Sequence, residues 1–146
     1  MEGLNVIWTA SSISKEQHLL PIRFPLRKGL LGWRIFLIRK DDQPRFSNVQ
    51  SLDDLRQFSV GQGQGGQGWS DVEILKYNGF DVSTYPDDER LFLKLVRGEF
   101  DIFSRRIFEA PIEWEQRKDK TPMLHIDRRK YYRSFSFSSL FLYSEK

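Results

Sequence analysis

The chain has 146 residues, 39% hydrophobic and 14% aromatic, with 23 basic against 20 acidic residues and a net charge of +3. That length suits one domain with a proper core, and the composition is that of a folded protein, not a disordered tail. The mild charge and the scattered basic runs give no reason to expect a nucleic-acid partner, and the lack of cysteine excludes disulfides, thiolate metal sites and a cysteine nucleophile. No stretch approaches the roughly 18 apolar residues of a membrane span. Met1 to Val6 lacks the basic start and long apolar run of a secretory signal.

Leu4 to Thr9 reads as a short strand, and Ser14 with Gln17 stands at capping-box spacing for one helical turn. Pro21 and Pro25 hold the next stretch extended. Gly32 to Arg39 is the strongest strand pattern, apolar on both faces and so expected to be buried on both sides. Asp41-Asp42-Gln43-Pro44 breaks the pattern and marks the expected domain boundary. Ser51 to Leu55 is a short capped helix that leads into a strand at Gln57 to Val60. A glycine-rich loop follows, running from Gly61 to Gly68. Ser70 or Asp71 then caps a helix that Asn78-Gly79 stops.

Phe80 to Thr84 is a strand, and Pro86-Asp87-Asp88 starts a helix with Leu91, Phe92, Leu95 and Val96 on one side. Gly98 ends it, and Phe100 to Phe103 is another strand. Arg106 to Arg117 reads as a helix interrupted at Pro111. Met123 to Ile126 and Phe135 to Tyr143 look like returning strands. Strands and helices alternate through short connections, which predicts an α/β layer fold with a central, largely parallel sheet flanked by helices. The expected division is 1–41, 42–128 and 129–146.

Five of the ten glycines fall between Gly61 and Gly68. A strand, a glycine loop and a helix start together offer free backbone N–H groups at a positive dipole end, which suits an anionic group. The bland alternative is a flexible surface loop. Gly61, Gly63 and Gly66 formally satisfy the dinucleotide fingerprint, with Asp81 about twenty positions on, but a run this rich in glycine matches almost any glycine pattern. His18 and His125 lie far apart without metal-ligand spacing, and no serine sits in a nucleophile turn. Glu109, Glu113 and Glu115 lie close together on a predicted helix and read as a solvated face. Nothing in the pattern requires catalysis, a cofactor or a metal.

Several segments in order resemble periplasmic solute-binding proteins of the amino-acid-binding type, which serve ABC importers. They are Ile7-Trp8-Thr9, Ser14-Lys15-Glu16, Leu19 to Pro25 and Lys28 to Ile38, then Ser51-Leu52-Asp53-Asp54-Leu55, Phe58 to Asp71, and Leu95 to Phe103. The last three are similar to the family's S-x-x-D-L helix start, its V-G-V-x-x-G-[ST] ligand loop and its L-x-x-G-x-x-D-A helix-to-strand element. The chain departs from the family where a carboxylate-clamping arginine is expected near Lys15 to Gln17, for none stands there. The family's first strands of lobe one and its closing helix have no counterpart. The resemblance therefore implies a truncated protein: lobe two with its ligand loop, plus the strands that join it to lobe one.

What the resemblance implies is a non-enzymatic, periplasmic substrate-binding component that closes on a small anionic or zwitterionic solute by hinge bending and hands it to an ABC importer membrane component. The expected ligand-binding residues are Gln62, Gln64, Gly65, Gly66, Gly68, Trp69, Ser70 and Asp71 from the loop. Ser104 and Arg105 join them at the end of a strand, where α/β sheets place ligands. Trp69 is a stacking wall or, equally, a core plug. Two alternatives stand beside this. One is an interaction-only relative that self-associates through exposed strands, chiefly Gly32 to Ile38. The other is an enzyme that uses the glycine loop for a nucleotide.

Overall fold

The computed structural model describes residues 13–18, 20, 33–63 and 71–128. The expected strands at Leu4 to Thr9 and Phe135 to Tyr143, and Gln64 to Ser70 of the glycine loop, lie outside the described residues. Helix α1 spans Ile13–His18, with Ser14 as its second residue. Strand β1 spans Arg34–Arg39, and a 3-10 turn at Lys40–Asp42 leads into α2 at Gln43–Phe46. Helix α3 is Leu52–Leu55, β2 is Val60–Gly63, α4 is Asp71–Tyr77 and β3 is Val82–Tyr85. Helix α5 is Asp88–Arg97, β4 is Ile102–Arg106, α6 is Ala110–Arg117 and β5 is Leu124–Ile126.

The five described strands form one sheet in the order β3-β2-β4-β1-β5. β2 is parallel to β3 and to β4, whereas β1 is antiparallel to β4 and to β5. Four strands therefore point one way and β1 alone opposes them, so the expected flanked, largely parallel sheet is found.

Each face of the sheet carries its own core. On one face Ile38, Val60 and Ile102 pack with Phe46, Leu55, Ile74 and Leu75, from α2, α3 and α4. On the other face Ile35, Leu37 and Phe103 pack with Leu91, Phe92 and Leu95 of α5 and Ala110 of α6. The chain runs from β2 outward to β3 and then back across β2 to β4. Right-handed crossovers in opposite directions place α4 and α5 on opposite faces, as observed.

Local chemistry explains the element ends. The Ser51 hydroxyl accepts from the Asp54 N–H at 3.2 Å, and the Asp54 carboxylate accepts from the Ser51 N–H at 2.8 Å, a reciprocal cap on α3. Asp87 caps α5 by accepting from the Glu89 N–H at 2.9 Å. Gly98 closes α5 at φ 78°, a left-handed conformation that favours glycine.

Several sequence expectations are corrected. Asp41 to Pro44 is not a break in structure but runs into a helix: Pro44 sits in the first turn of α2, where its missing N–H costs nothing, and Phe46 of that turn is fully buried. β1 lies hydrogen-bonded between β4 and β5, in the same sheet as the strands that follow it. Burial of β1 on both sides is found, so the strand is not exposed. The physical reason given for self-association through it falls away.

Pro111 likewise starts a helix instead of interrupting one. The strands expected at Gln57 to Val60, Phe80 to Thr84 and Phe100 to Phe103 lie one to three residues further on. Phe58, Phe80 and Phe100 are buried core residues whose apolar character marks the approach to each strand, while ladder pairing begins at Val60, Val82 and Ile102.

Candidate functional site

The connections define a topological switch point, where sheets of this kind open a crevice. The chain leaves the carboxyl end of β2 toward α4 on one face, and leaves the carboxyl end of the adjacent β4 toward α6 on the other. Where neighbouring parallel strands send their connections to opposite faces, their ends part and leave room for a ligand. In this sheet that position lies between Gly63 and Arg106.

The side chains below the crevice follow from strand alternation. Val60 and Ile102 face the α4 side and are partners across β2 and β4, with Gly61 opposite Phe103 one step on. The paired positions end there, and by strand alternation the next residue of each strand, Gln62 and Ser104, falls on the α4 face. Ser104 is in turn opposite Phe36 of β1. Both Gln62 and Ser104 are only 2% exposed, and the Ser104 hydroxyl oxygen is buried with no hydrogen-bond partner. An orphaned hydroxyl in a core is costly and uncommon.

The next row carries charge. Arg34 of β1 is opposite Arg106 of β4. The Arg34 guanidinium donates to the Asp71 carboxylate at 2.6 Å, with side chains 7% and 13% exposed. Burial lowers the pKa of Arg34 below its ordinary value despite the opposing pull of Asp71. Arg106 donates to the Glu109 carboxylate at 2.8 Å. The charges in this row are thus balanced within the protein.

Ser104 and Arg105 part company. Arg105 faces the α5–α6 side, where its Nε donates to Glu113 at 2.8 Å and a second guanidinium nitrogen also meets Glu113. Asp88 lies 3.7 Å and Glu109 3.6 Å from the same guanidinium. Burial alone would lower the Arg105 pKa, but the Glu113 hydrogen bonds and the surrounding carboxylates raise it. Glu109 and Glu113 are therefore structural counter-ions, a correction to the solvated face expected of them. Glu115 is exposed beside Lys118.

Of the expected site residues, Gln62 and Ser104 fall on one face of the sheet, and Asp71 pairs with Arg34 of β1. Arg105 lies across the sheet. Gln64, Gly65, Gly66, Gly68, Trp69 and Ser70 lie outside the described residues. Arg34 was missed by sequence reasoning, although it is the one charged residue inside the apolar run from Trp33 to Ile38. Gly61 and Gly63 belong to β2 itself, whereas a dinucleotide fingerprint puts its glycines in the turn after the strand, so the formal fit does not hold in space. Among the described residues no three His, Asp or Glu side chains stand together to hold a metal ion, and no helix is long and apolar enough to cross a membrane.

No family model matches the chain, and no curated protein matches it. Solved structures do. An ancestral arginine-binding protein bound to glutamine is similar over 88% of this chain and 50% of its own, at 16% identity and a TM-score of 0.55. Domain 2 of TmArgBP is 27% identical over 64% of this chain and 92% of its own, with a TM-score of 0.45. An ancestral cyclohexadienyl dehydratase is 16% identical over 77% of this chain and 48% of its own, with a TM-score of 0.49. Against the full-length arginine-binding neighbours the match spans between 38% and 50% of their length. The resemblance expected from the sequence is thus found at the level of fold: this is the fold of a solute-binding-protein lobe.

Proposed function

We propose that the chain is a non-enzymatic ligand-binding lobe that takes a small polar solute in the crevice between β2 and β4. The observation that carries this reading is the buried, unpartnered Ser104 hydroxyl, on the same face as the buried Gln62, at a topological switch point. The glycine segment that follows β2 would offer the solute its backbone N–H groups, and the Arg34–Asp71 pair would hold the start of α4 in place. By likeness to its neighbours, one of which holds glutamine, the solute is an amino acid or a comparable small zwitterion. The setting is then that of a periplasmic substrate-binding component that closes by hinge bending and delivers to an ABC importer.

Thermal shift against amino acids, dicarboxylates, monosaccharides and nucleotides tests the reading. A solute at a hundredfold excess over its dissociation constant stabilises the folded state by about 2.7 kcal/mol, a readable shift for a chain of this size. A response to amino acids supports the proposal. A response confined to sugars overturns the ligand class. A strong nucleotide response revives the enzyme reading.

A further inference from the structure

Gln62 and Ser104 are neutral and buried and are the next residues on one face after the last paired positions of β2 and β4, while Arg34 and Arg106 in the row beyond each face a carboxylate of the protein. We infer that this pair forms an uncharged recognition subsite for a primary carboxamide on the solute. The inference rests on the solute-binding reading and narrows it.

The argument is one of donor and acceptor balance. A serine hydroxyl has one donor and two acceptor lone pairs, and a glutamine carboxamide has two donors and an acceptor oxygen. A carboxylate only accepts, so it would leave the Gln62 carbonyl and the Ser104 lone pairs without donors. It would also bring a desolvated charge beside Arg34 and Arg106, whose own counter-ions are Asp71 and Glu109, with the buried Arg34 Nε as a single donor to meet it. An ammonium only donates, and the nearest carboxylates are committed in the same way. A primary carboxamide donates and accepts at once: it can exchange two hydrogen bonds with Gln62 and complete the bonding of the Ser104 hydroxyl. A site built on hydrogen bonds of this kind rejects analogues that leave its buried polar groups unpaired.

The test is calorimetry with L-glutamine and L-asparagine against L-glutamate and L-aspartate, on the full chain and on two variants. The natural chain should bind an amide at least tenfold more tightly than the matching acid. Ser104→Ala and the near-isosteric Gln62→Met should each lower the amide affinity by about fivefold to tenfold, the range of one lost neutral hydrogen bond. Both should reduce the amide-to-acid ratio. Melting of each variant shows whether it is folded, and Ser104→Ala should melt no lower than the natural chain because it removes an unpaired hydroxyl. Acid binding equal to or tighter than amide binding overturns the subsite and leaves solute binding standing. So does an unchanged ratio in two folded variants. A chain that binds none of the four, and nothing else in the thermal-shift panel, overturns the solute-binding reading and the subsite with it.

Discussion

Arg34 and Asp71, 37 positions apart in sequence, form a 2.6 Å ion pair that ties strand β1 to the first residue of α4. Both side chains are largely shielded from water, so neither charge has solvent to fall back on. Removing one partner from such a pair costs about 3–5 kcal/mol because the other is left buried and unpaired. Arg34→Met should therefore be strongly destabilising. Arg34→Met with Asp71→Leu should recover much of that loss, since a matched apolar pair leaves no stranded charge. Urea unfolding of the two single variants and the double variant gives the coupling energy directly. Additive losses would show that the pair does not act as a unit.

Gly61 is required by packing. A Cβ built on it would lie 2.2 Å from the ring of Phe100, a contact that no side-chain adjustment of the ring plane can relieve cheaply. Phe100 is itself 1% exposed and held within the α5 core. Gly61→Ala should cost about 1–3 kcal/mol through overpacking. The loss should shrink when Phe100→Leu is added, although that substitution alone also destabilises. Equal effects of Gly61→Ala in both backgrounds would place the strain elsewhere.

That contact also shows what the sequence could and could not disclose. Periodicity made the helices α3, α4 and α5 legible, because their caps at Ser51 and Asp87 and their stops at Gly79 and Gly98 are local events that a few neighbouring residues decide. The sheet order is set by long-range pairing, and nothing in the run from Trp33 to Ile38 tells that β1 inserts between β4 and β5. The glycine run suggested backbone approach by a ligand throughout, yet Gly61 answers to a phenylalanine 39 positions away. Ser104 and Arg105 looked like one site because they are consecutive. The alternation of a strand sends them to opposite faces, and only the helices packed on each face reveal which one meets the crevice.

His125 of β5 gives the stability a pH dependence above the carboxylate range. Burial, with the nearby positive charges of Arg128 and Lys40, lowers its pKa below the ordinary 6.5. The unfolded chain binds the proton more readily than the folded one, so stability is full above pH 6.5 and falls as the pH drops through the lower folded value. Unfolding free energy should decline between pH 7 and pH 5, and His125→Gln should flatten that decline. Titration of the imidazole by NMR in the folded chain should give a midpoint below 6.5. A midpoint above it would reverse the sign of the effect.

Asp101 joins the starts of β2 and β4 to the far end of β1. Its carboxylate accepts from the Ser59 N–H at 3.1 Å and the Ser59 hydroxyl at 3.0 Å, and from Arg45 at 2.8 Å and Arg39 at 3.1 Å. Its own N–H in turn donates to the Ser59 carbonyl at 3.0 Å. Burial alone would raise the Asp101 pKa, but the hydrogen bonds from Arg45 and Ser59 outweigh it and hold the carboxyl below its ordinary 3.8. Its stabilisation is therefore present above pH 3.8 and lost as the pH falls through the lower folded value. Asp101→Ala should cost about 2–3 kcal/mol at neutral pH, the range for hydrogen bonds to a charged group. Asp101→Asn, which keeps the shape and one acceptor but not the charge, should cost less and should lose less stability than the natural chain below pH 4. The crevice at the opposite, carboxyl end of the sheet is untouched by this clasp. Any solute bound by the natural chain should accordingly bind folded Asp101→Asn with unchanged affinity. A matching loss of affinity would mean that the two ends of the sheet are coupled.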